Sequence, residues 1–253
     1  PAMWLRSMND YGCTIATAPN FGYDHCSRLI SDKDVSRWNL QHVKHLFVGA
    51  EPIRVSTISS FTEKFKPAGI RPEMIRPAYG LAESTIITSI SLTEHKANFI
   101  ELEANSIAIG EPVQVLGKIN FDEDALKDYG SGTSIAACTA GHAIEGLQLG
   151  IVDKKGEAIA DEGITGEITV SGSSVAMGYV TCGDAANEQL IDKFSGGQLR
   201  TGDIGIILNG ELYILERIKN IIIRNGENYL VSALEEKIAI LVGTSHEHIA
   251  VFD

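Results

Sequence analysis

Between residues 13 and 80, short apolar runs alternate with stretches whose apolar residues recur every three to four positions. No other feature of the chain restricts its fold as much. Cys13-Thr14-Ile15-Ala16-Thr17-Ala18 predicts a strand closed by Pro19-Asn20, and residues 23–30 carry helical spacing. His45-Leu46-Phe47-Val48 predicts a short buried strand ending at Gly49-Ala50-Glu51-Pro52. Residues 53–65 predict an amphipathic helix stopped by Pro67 and Gly69, after which a strand around Met74-Ile75 runs into Tyr79-Gly80. Strand, helix and strand with short links predict a parallel sheet covered by helices, an α/β fold. In such sheets ligands bind in the loops at the carboxyl ends of the strands.

The pattern then changes twice. From about 92 to 143 the periodicity weakens, and Asp122-Glu123-Asp124 with several glycines suggests an insertion or extended excursion. From about 144 to 216 the chain turns β-rich, with strands predicted over 147–152, 166–171, 203–208 and 211–215. Asn209-Gly210 between the last two predicts a type I′ hairpin. Short strands with glycine turns predict a small sheet or distorted barrel. Ile221-Ile222-Ile223 leads to a turn at Asn225-Gly226, and Ser232 with Glu235 predicts a capping box ahead of a helix. That reads as another α/β unit, cut short.

Composition narrows the function classes. The chain has 253 residues, 44% hydrophobic and 21% charged, which suits a packed globular protein. Its net charge of −12, with no basic cluster, argues against nucleic acid or an acidic membrane surface as partner. Cys13, Cys26, Cys138 and Cys182 are widely spaced and read as reduced thiols of a cytoplasmic protein. His246 and His248 lack the companions of a metal site. No apolar run reaches the roughly 18 residues of a membrane span. Gly130-Ser131-Gly132-Thr133-Ser134 and Ser171-Gly172-Ser173-Ser174 tempt a phosphate-loop reading, yet each lacks the residues that complete one and is better read as a turn. The chain opens at Pro1 and stops inside an expected strand at Val251-Phe252-Asp253, as a fragment would.

Three segments carry chemistry. Tyr79-Gly80-Leu81-Ala82-Glu83-Ser84-Thr85 places an aromatic, a glycine and a carboxylate at a strand end. The aromatic suits stacking on a base, and the carboxylate suits Mg²⁺ held against phosphate oxygens. Leu199-Arg200-Thr201-Gly202-Asp203 puts a carboxylate at a strand mouth, where it can accept from both hydroxyls of a ribose. Glu216-Arg217-Ile218-Lys219-Asn220 follows the hairpin. Plainer readings stand beside these. Phe21 and Tyr23 read as core aromatics on burial statistics alone, Glu51 as a charge favourable to a helix N-terminus, and Lys219 as a solvated lysine.

In order and spacing these segments resemble the successive core motifs of the adenylate-forming superfamily, which includes acyl-CoA synthetases, peptide-synthetase adenylation domains and luciferases. Among its branches the chain is most similar to the fatty acyl-AMP ligases. Ala18-Pro19-Asn20-Phe21-Gly22-Tyr23-Asp24-His25-Cys26 resembles their acyl-pocket segment, and Phe47-Val48-Gly49-Ala50-Glu51-Pro52-Ile53 the stretch lining adenine. Ala82 stands where many relatives carry Thr. Tyr79 and Gly166 lie 87 positions apart, a wider gap than in ordinary acyl-CoA synthetases, and the region around 121–128 resembles part of the insertion known in these ligases.

The resemblance implies a two-step enzyme using ATP and Mg²⁺. A fatty acid becomes acyl-AMP with release of pyrophosphate, and the acyl group passes to the phosphopantetheine thiol of an acyl carrier protein or a polyketide or peptide synthase module. It implies that Gly49, Ala50 and Glu51 border adenine, that Tyr79 stacks on it, and that Gly80, Leu81 and Ala82 complete the nucleotide turn. It implies Glu83 as Mg²⁺ ligand, Asp203 on the ribose, Arg217 on ribose or phosphate, Lys219 as the hinge, and Phe21 and Tyr23 as walls of an acyl channel. Glu83 and Lys219 are the catalytic candidates. The implied organisation is residues 1–143 as the second part of a large N-terminal sheet subdomain, with an insertion at about 95–135. Residues 144–217 would form a distorted β-barrel, and 218–253 the start of a small α+β C-terminal domain. The Pro-Lys-Gly phosphate loop and the C-terminal catalytic lysine of the family pattern are not found, so this piece alone is expected to form no acyl-AMP. The rival readings are an acyl-CoA synthetase and a non-catalytic binding module.

Overall fold

The computed structural model describes residues 1–91, 97–120, 134–179, 193–195, 197–224, 227–244 and 248–252. Several sequence expectations lie outside these: the 121–128 segment, most of the Gly130–Ser134 stretch, Cys182, the Asn225-Gly226 turn and His246.

A helix that the periodicity did not announce opens the chain, α1 (Ala2–Tyr11), which buries Leu5 and Met8 and ends at Gly12 in the left-handed region. Then β1 (Ile15–Pro19), β2 (His45–Gly49) and β3 (Ile75–Tyr79) pair in parallel. The sheet continues antiparallel through β4 (Ser89–Ile90) and β8 (His142–Ala143), in the order β1-β2-β3-β4-β8. The crossovers carry α2 (Asn20–Leu29), a short α3 (Asp32–Val35) and α4 (Val55–Phe65). Tyr23 and Cys26 of α2 meet Ile58, Phe61 and Phe65 of α4 over Leu46, Val48 and Ile75 of the sheet. Asn20 does not close the first strand; it opens α2. Its amide, wholly buried, donates to Thr57 Oγ1 (3.3 Å) and accepts from the Arg54 N–H (3.1 Å), locking the start of α2 to that of α4.

The stretch read as an excursion contains a sheet of its own: β5 (Phe99–Glu103) lies between β6 (Val115–Ile119) and β7 (Ser134–Cys138), all antiparallel. Successive residues of a strand face opposite sides. Phe99, Ile119 and Cys138 join the core under the parallel sheet, whereas Ile100, Leu102, Ile135 and Ala137 join a second core with Ile204, Ile206, Tyr213 and Leu215. Strands buried on both faces, as β5 and β7 are, show no alternation, which is why the sequence pattern fades there.

The β-rich part is an open antiparallel sheet, the first of the two forms expected, and among the described residues it does not close into a barrel. Its order is β10-β9-β11-β13, from β9 (Leu147–Val152), β10 (Ala158–Ile159), β11 (Gly166–Gly172) and β13 (Gln198–Leu208). The far side of β13 is shared between two-residue β12 (Phe194–Ser195) and β14 (Glu211–Arg217). Among the described residues β14 pairs with β13 and not with β10, and its Tyr213 bridges to Thr139 of the neighbouring layer. The β13–β14 hairpin turns at Asn209 and Gly210, both with positive φ (52° and 74°), as a type I′ turn demands. The chain ends in the hairpin of β15 (Ile221–Arg224) and β16 (Glu227–Leu230), followed by α5 (Val231–Val242). Ser232 lies inside α5, so the expected capping box does not form. β16 carries extended backbone to Leu230, and the Ser232 N–H donates instead to Glu216 Oε2 at 3.0 Å.

Candidate functional site

A cavity of about 940 Å³ opens at the carboxyl ends of β2 and β3 and is walled on its other side by β7, β14 and α5. Its first wall is made by backbone. Gly49 runs so close to β3 that a Cβ would stand 2.4 Å from the Ala78 carbonyl oxygen, and one on Gly80 would stand 1.5 Å from that of Ile86. Ala50, between them on the cavity lining, has φ of 67°, a conformation that side chains resist and that tends to mark functional loops. Glu51 also lines the cavity, and its Oε1 accepts from the Phe21 N–H (2.5 Å) at the amino end of α2. A carboxylate there meets orphan N–H groups and the positive end of the helix dipole.

The second wall is made by side chains. One residue of β11, Ile168, faces three of β13, Thr201 to Asp203, because the register jumps from Thr169↔Arg200 to Glu167↔Ile204. This bulge, with Gly202 at φ 78°, aims Asp203 into the cavity. It is secured by buried groups. Glu167 accepts from the Gly202 N–H (3.0 Å) and from Arg200 Nε (2.8 Å), while Thr201 Oγ1 donates to the Ile168 carbonyl (2.8 Å) and accepts from the Asp203 N–H (3.1 Å).

At the meeting of the walls, the Tyr79 hydroxyl donates to Asp203 Oδ2 (2.6 Å) and Arg217 Nε pairs with Asp203 Oδ1 (3.0 Å). Burial, then the Asp203 charge, pushes the Tyr79 hydroxyl well above the usual phenol range, so it stays a donor. Asp203 is 6% exposed while the Arg217 side chain is 59% exposed. The ion pair therefore has one anchored and one movable member. Beside it Glu216, also buried, takes the Arg217 N–H (3.0 Å) and Asn220 Nδ2 (3.4 Å) on Oε1, and Ser232 on Oε2. One carboxylate thus joins β14, the 3-10 turn Ile218–Asn220 and the start of α5.

Of the residues singled out in the sequence, Ala50, Glu51, Tyr79, Gly80, Asp203 and Arg217 line the cavity, with Gly49 immediately behind. Leu81 and Ala82 lead into the 3-10 turn Ala82–Ser84 outside the lining. Glu83 lies on that turn, and its carboxylate accepts from the Tyr179 hydroxyl. That bond is the main cause holding the Glu83 carboxyl below the usual range, so it is ionised at neutral pH. Lys219 is exposed on the turn after β14, away from the lining. Phe21 is 45% exposed, packed edge-on to His25, and not on the cavity. Tyr23 is a correction: it is wholly buried, its hydroxyl donating to the Phe47 carbonyl (2.8 Å) and its ring set edge-on between Trp4 and Phe61. A tyrosine so enclosed walls no channel. Thr201, Glu167, Glu216 and Tyr179 were not singled out, although Thr201 and Glu216 sit inside motifs that were. Among the described residues no group of three or more His, Cys, Asp or Glu is placed to hold a metal ion. None of their helices is long and apolar enough to cross a membrane.

A family model described as AMP-binding enzyme matches residues 1–180. The chain is 31% identical over its whole length to 4-hydroxyphenylalkanoate adenylyltransferase of Mycobacterium marinum, covering 40% of that protein. It is 30% identical to the long-chain-fatty-acid–AMP ligase FadD26 of Mycobacterium tuberculosis (42% covered), again over its whole length. Over 93% of the chain it is 30% identical to the medium-chain-fatty-acid–[acyl-carrier-protein] ligase JamA of Moorena producens, of which 39% is covered. The chain therefore spans about two fifths of the length of these curated relatives. Among solved structures, one from a study of fatty acyl-adenylate ligases of E. coli and L. pneumophila superposes with a TM-score of 0.77 at 27% identity, covering 95% of this chain and 41% of that one. A ligase of L. pneumophila in complex with acyl adenylate and pyrophosphate gives 0.72 at 30% identity, with 87% and 37% covered.

Proposed function

The chain belongs to the family of AMP-binding enzymes, and from that premise we propose that it builds the nucleoside side of a fatty acyl-AMP ligase site. In the proposed reaction a carboxylate oxygen of a fatty acid attacks the α-phosphorus of ATP; the new C–O–P bond forms as the bond to pyrophosphate breaks. In the second half-reaction the phosphopantetheine thiol of an acyl carrier protein, or of a polyketide or peptide synthase module, takes the acyl group and AMP leaves. The observation that carries this reading is the meeting of Tyr79, Asp203 and Arg217 at the cavity, from strand ends 124 positions apart in the case of the Tyr79–Asp203 bond.

The roles follow from the chemistry of each group. Asp203 accepts from the ribose hydroxyls, a task for a buried, aimed carboxylate. Tyr79 offers its ring to adenine beside the backbone of Gly49, Ala50 and Gly80, whose bareness permits close approach. Arg217, exposed and cationic, meets ribose or phosphate oxygen. Glu83 suits Mg²⁺: a single ionised carboxylate beside a nucleotide is the usual protein contribution, substrate phosphates and waters supplying the rest. When bound, the ion offsets phosphate charge. Lys219, on the exposed turn after β14, is the pivot for motion of the C-terminal segment between half-reactions. Phe21, half exposed near the mouth of α2, is the remaining candidate for the acyl path. A cytoplasmic setting agrees with free thiols at Cys13, Cys26 and Cys138.

Pyrophosphate exchange with a long-chain acid and ATP, run on a protein that carries this chain together with the family's phosphate loop and C-terminal lysine, tests the reading, with Asp203→Ala as the control. Exchange that needs the acid and falls with Asp203→Ala supports it. Abundant acyl-CoA on adding free CoA would favour an acyl-CoA synthetase instead.

A further inference from the structure

The Ser171-Gly172-Ser173-Ser174 stretch cradles no phosphate in the reading above, yet its end and the chain that follows it are tied to the Glu83 turn at four points. The Ala176 N–H donates to the Glu83 carbonyl (2.7 Å), Ser174 Oγ donates to the Ser84 carbonyl (3.2 Å), and Thr85 Oγ1 donates to the Ser174 carbonyl (3.0 Å). The fourth tie is the Tyr179 hydroxyl on Glu83 Oε1. Both ends of this loop are held. The Ser173 N–H donates to the Gly146 carbonyl (3.3 Å) at one end, and the Tyr179 ring packs edge-on against Phe194 of β12 (5.2 Å between centroids) at the other. The turn it grips needs holding, because Thr85 and Ile86, both β-branched, follow one another with φ of 62° and 80°.

We propose that residues 173–179 form a strap that orients the Glu83 carboxylate toward a nucleotide-bound divalent cation, with Tyr179 as its positioning residue. This deepens, and rests on, the reading of Glu83 as the metal ligand. The backbone ties fix where the turn sits. The hydroxyl occupies one carboxylate oxygen and so selects the rotamer that presents the other. An outer partner of this kind orients a ligating carboxylate without touching the ion.

Mn²⁺ titrated in the presence of ATP and followed by its electron paramagnetic resonance signal tests this without relying on turnover. Losing such an outer partner costs roughly tenfold in metal affinity. Tyr179→Phe is therefore expected to weaken Mn²⁺ binding by about that factor, with metal-free ATP affinity unchanged, and Glu83→Gln to weaken it at least as much. Should Tyr179→Phe fail to fold, Ser174→Ala, which removes the tie to Ser84, is held to the same criterion. Weakening in Glu83→Gln with wild-type Mn²⁺ affinity in the strap variant overturns the strap. Wild-type affinity in Glu83→Gln itself overturns the reading of Glu83 on which the strap depends. Equal loss of metal-free ATP and Mn²⁺ affinity in the strap variant marks a general structural role and overturns the proposal as well.

Discussion

The two walls of the cavity achieve the same rigidity by opposite means. The wall at the ends of β2 and β3 is set by backbone: bare glycines at Gly49 and Gly80 and a left-handed Ala50 bring main chains together where no side chain fits. The wall on β13 and β14 is set by buried side chains, with Glu167, Thr201 and Glu216 fixing the loops that carry Asp203 and Arg217. The contrast has a consequence. Steric positions fail all at once when filled, whereas hydrogen-bonded positions fail in graded steps, one donor at a time.

The sharpest break is expected at Gly80. Gly80→Ala places a methyl 1.5 Å from the Ile86 carbonyl oxygen, so backbone must move. A loss on the order of 4 kcal/mol or more, seen as a collapse of the urea midpoint or as insoluble protein, is expected. Near-wild-type stability would mean that the first wall is not sterically set. Glu216→Ala comes next. It strips the acceptor from three donors, for about 2–3 kcal/mol, and faster tryptic cleavage at Arg217 and Lys219 should accompany the loss. Cleavage at the wild-type rate would deny Glu216 its part in holding the start of α5. Tyr79→Phe keeps the ring and removes one donor from buried Asp203. A loss of about 1–2 kcal/mol is expected by thermal melting. The smallest change tests the hairpin away from both walls: Gly210→Ala, at φ 74°, should cost about 1 kcal/mol.

How much of this the sequence disclosed depends on whether the relevant physics is local. The three parallel strands and their helices were readable because each buries one face against the next along the chain, leaving periodic marks. The β13–β14 turn was readable because Asn209-Gly210 is a local conformational demand. The sheet of β5, β6 and β7 was hidden because β5 and β7 bury residues on both faces, so Phe99 and Ile100 look alike in sequence although they enter different cores. The choice between a small sheet and a distorted barrel was not legible because sheet closure depends on which edges meet, and Tyr213 bridges to Thr139 in another layer. Tyr79 and Asp203 stood out as strand-end residues beside glycines, and Glu83 and Arg217 as charged residues inside the quoted motifs. Glu167 and Glu216 did not, since nothing near them in sequence says that their partners are Gly202 and Ser232. Tyr23 carried a misleading signal: an aromatic in a recognisable segment, placed by Trp4 and Phe61 in the core.

We propose that the bulge on β13 aims Asp203 at the ribose. Calorimetric titration of ATP and 2′,3′-dideoxy-ATP into wild type and Asp203→Ala isolates that contact. In wild type the dideoxy nucleotide should bind more weakly, by roughly 1.5–3 kcal/mol for each charged hydrogen bond lost, and in Asp203→Ala the two nucleotides should bind alike. An equal penalty for the missing hydroxyls in both proteins would show that the ribose is held elsewhere.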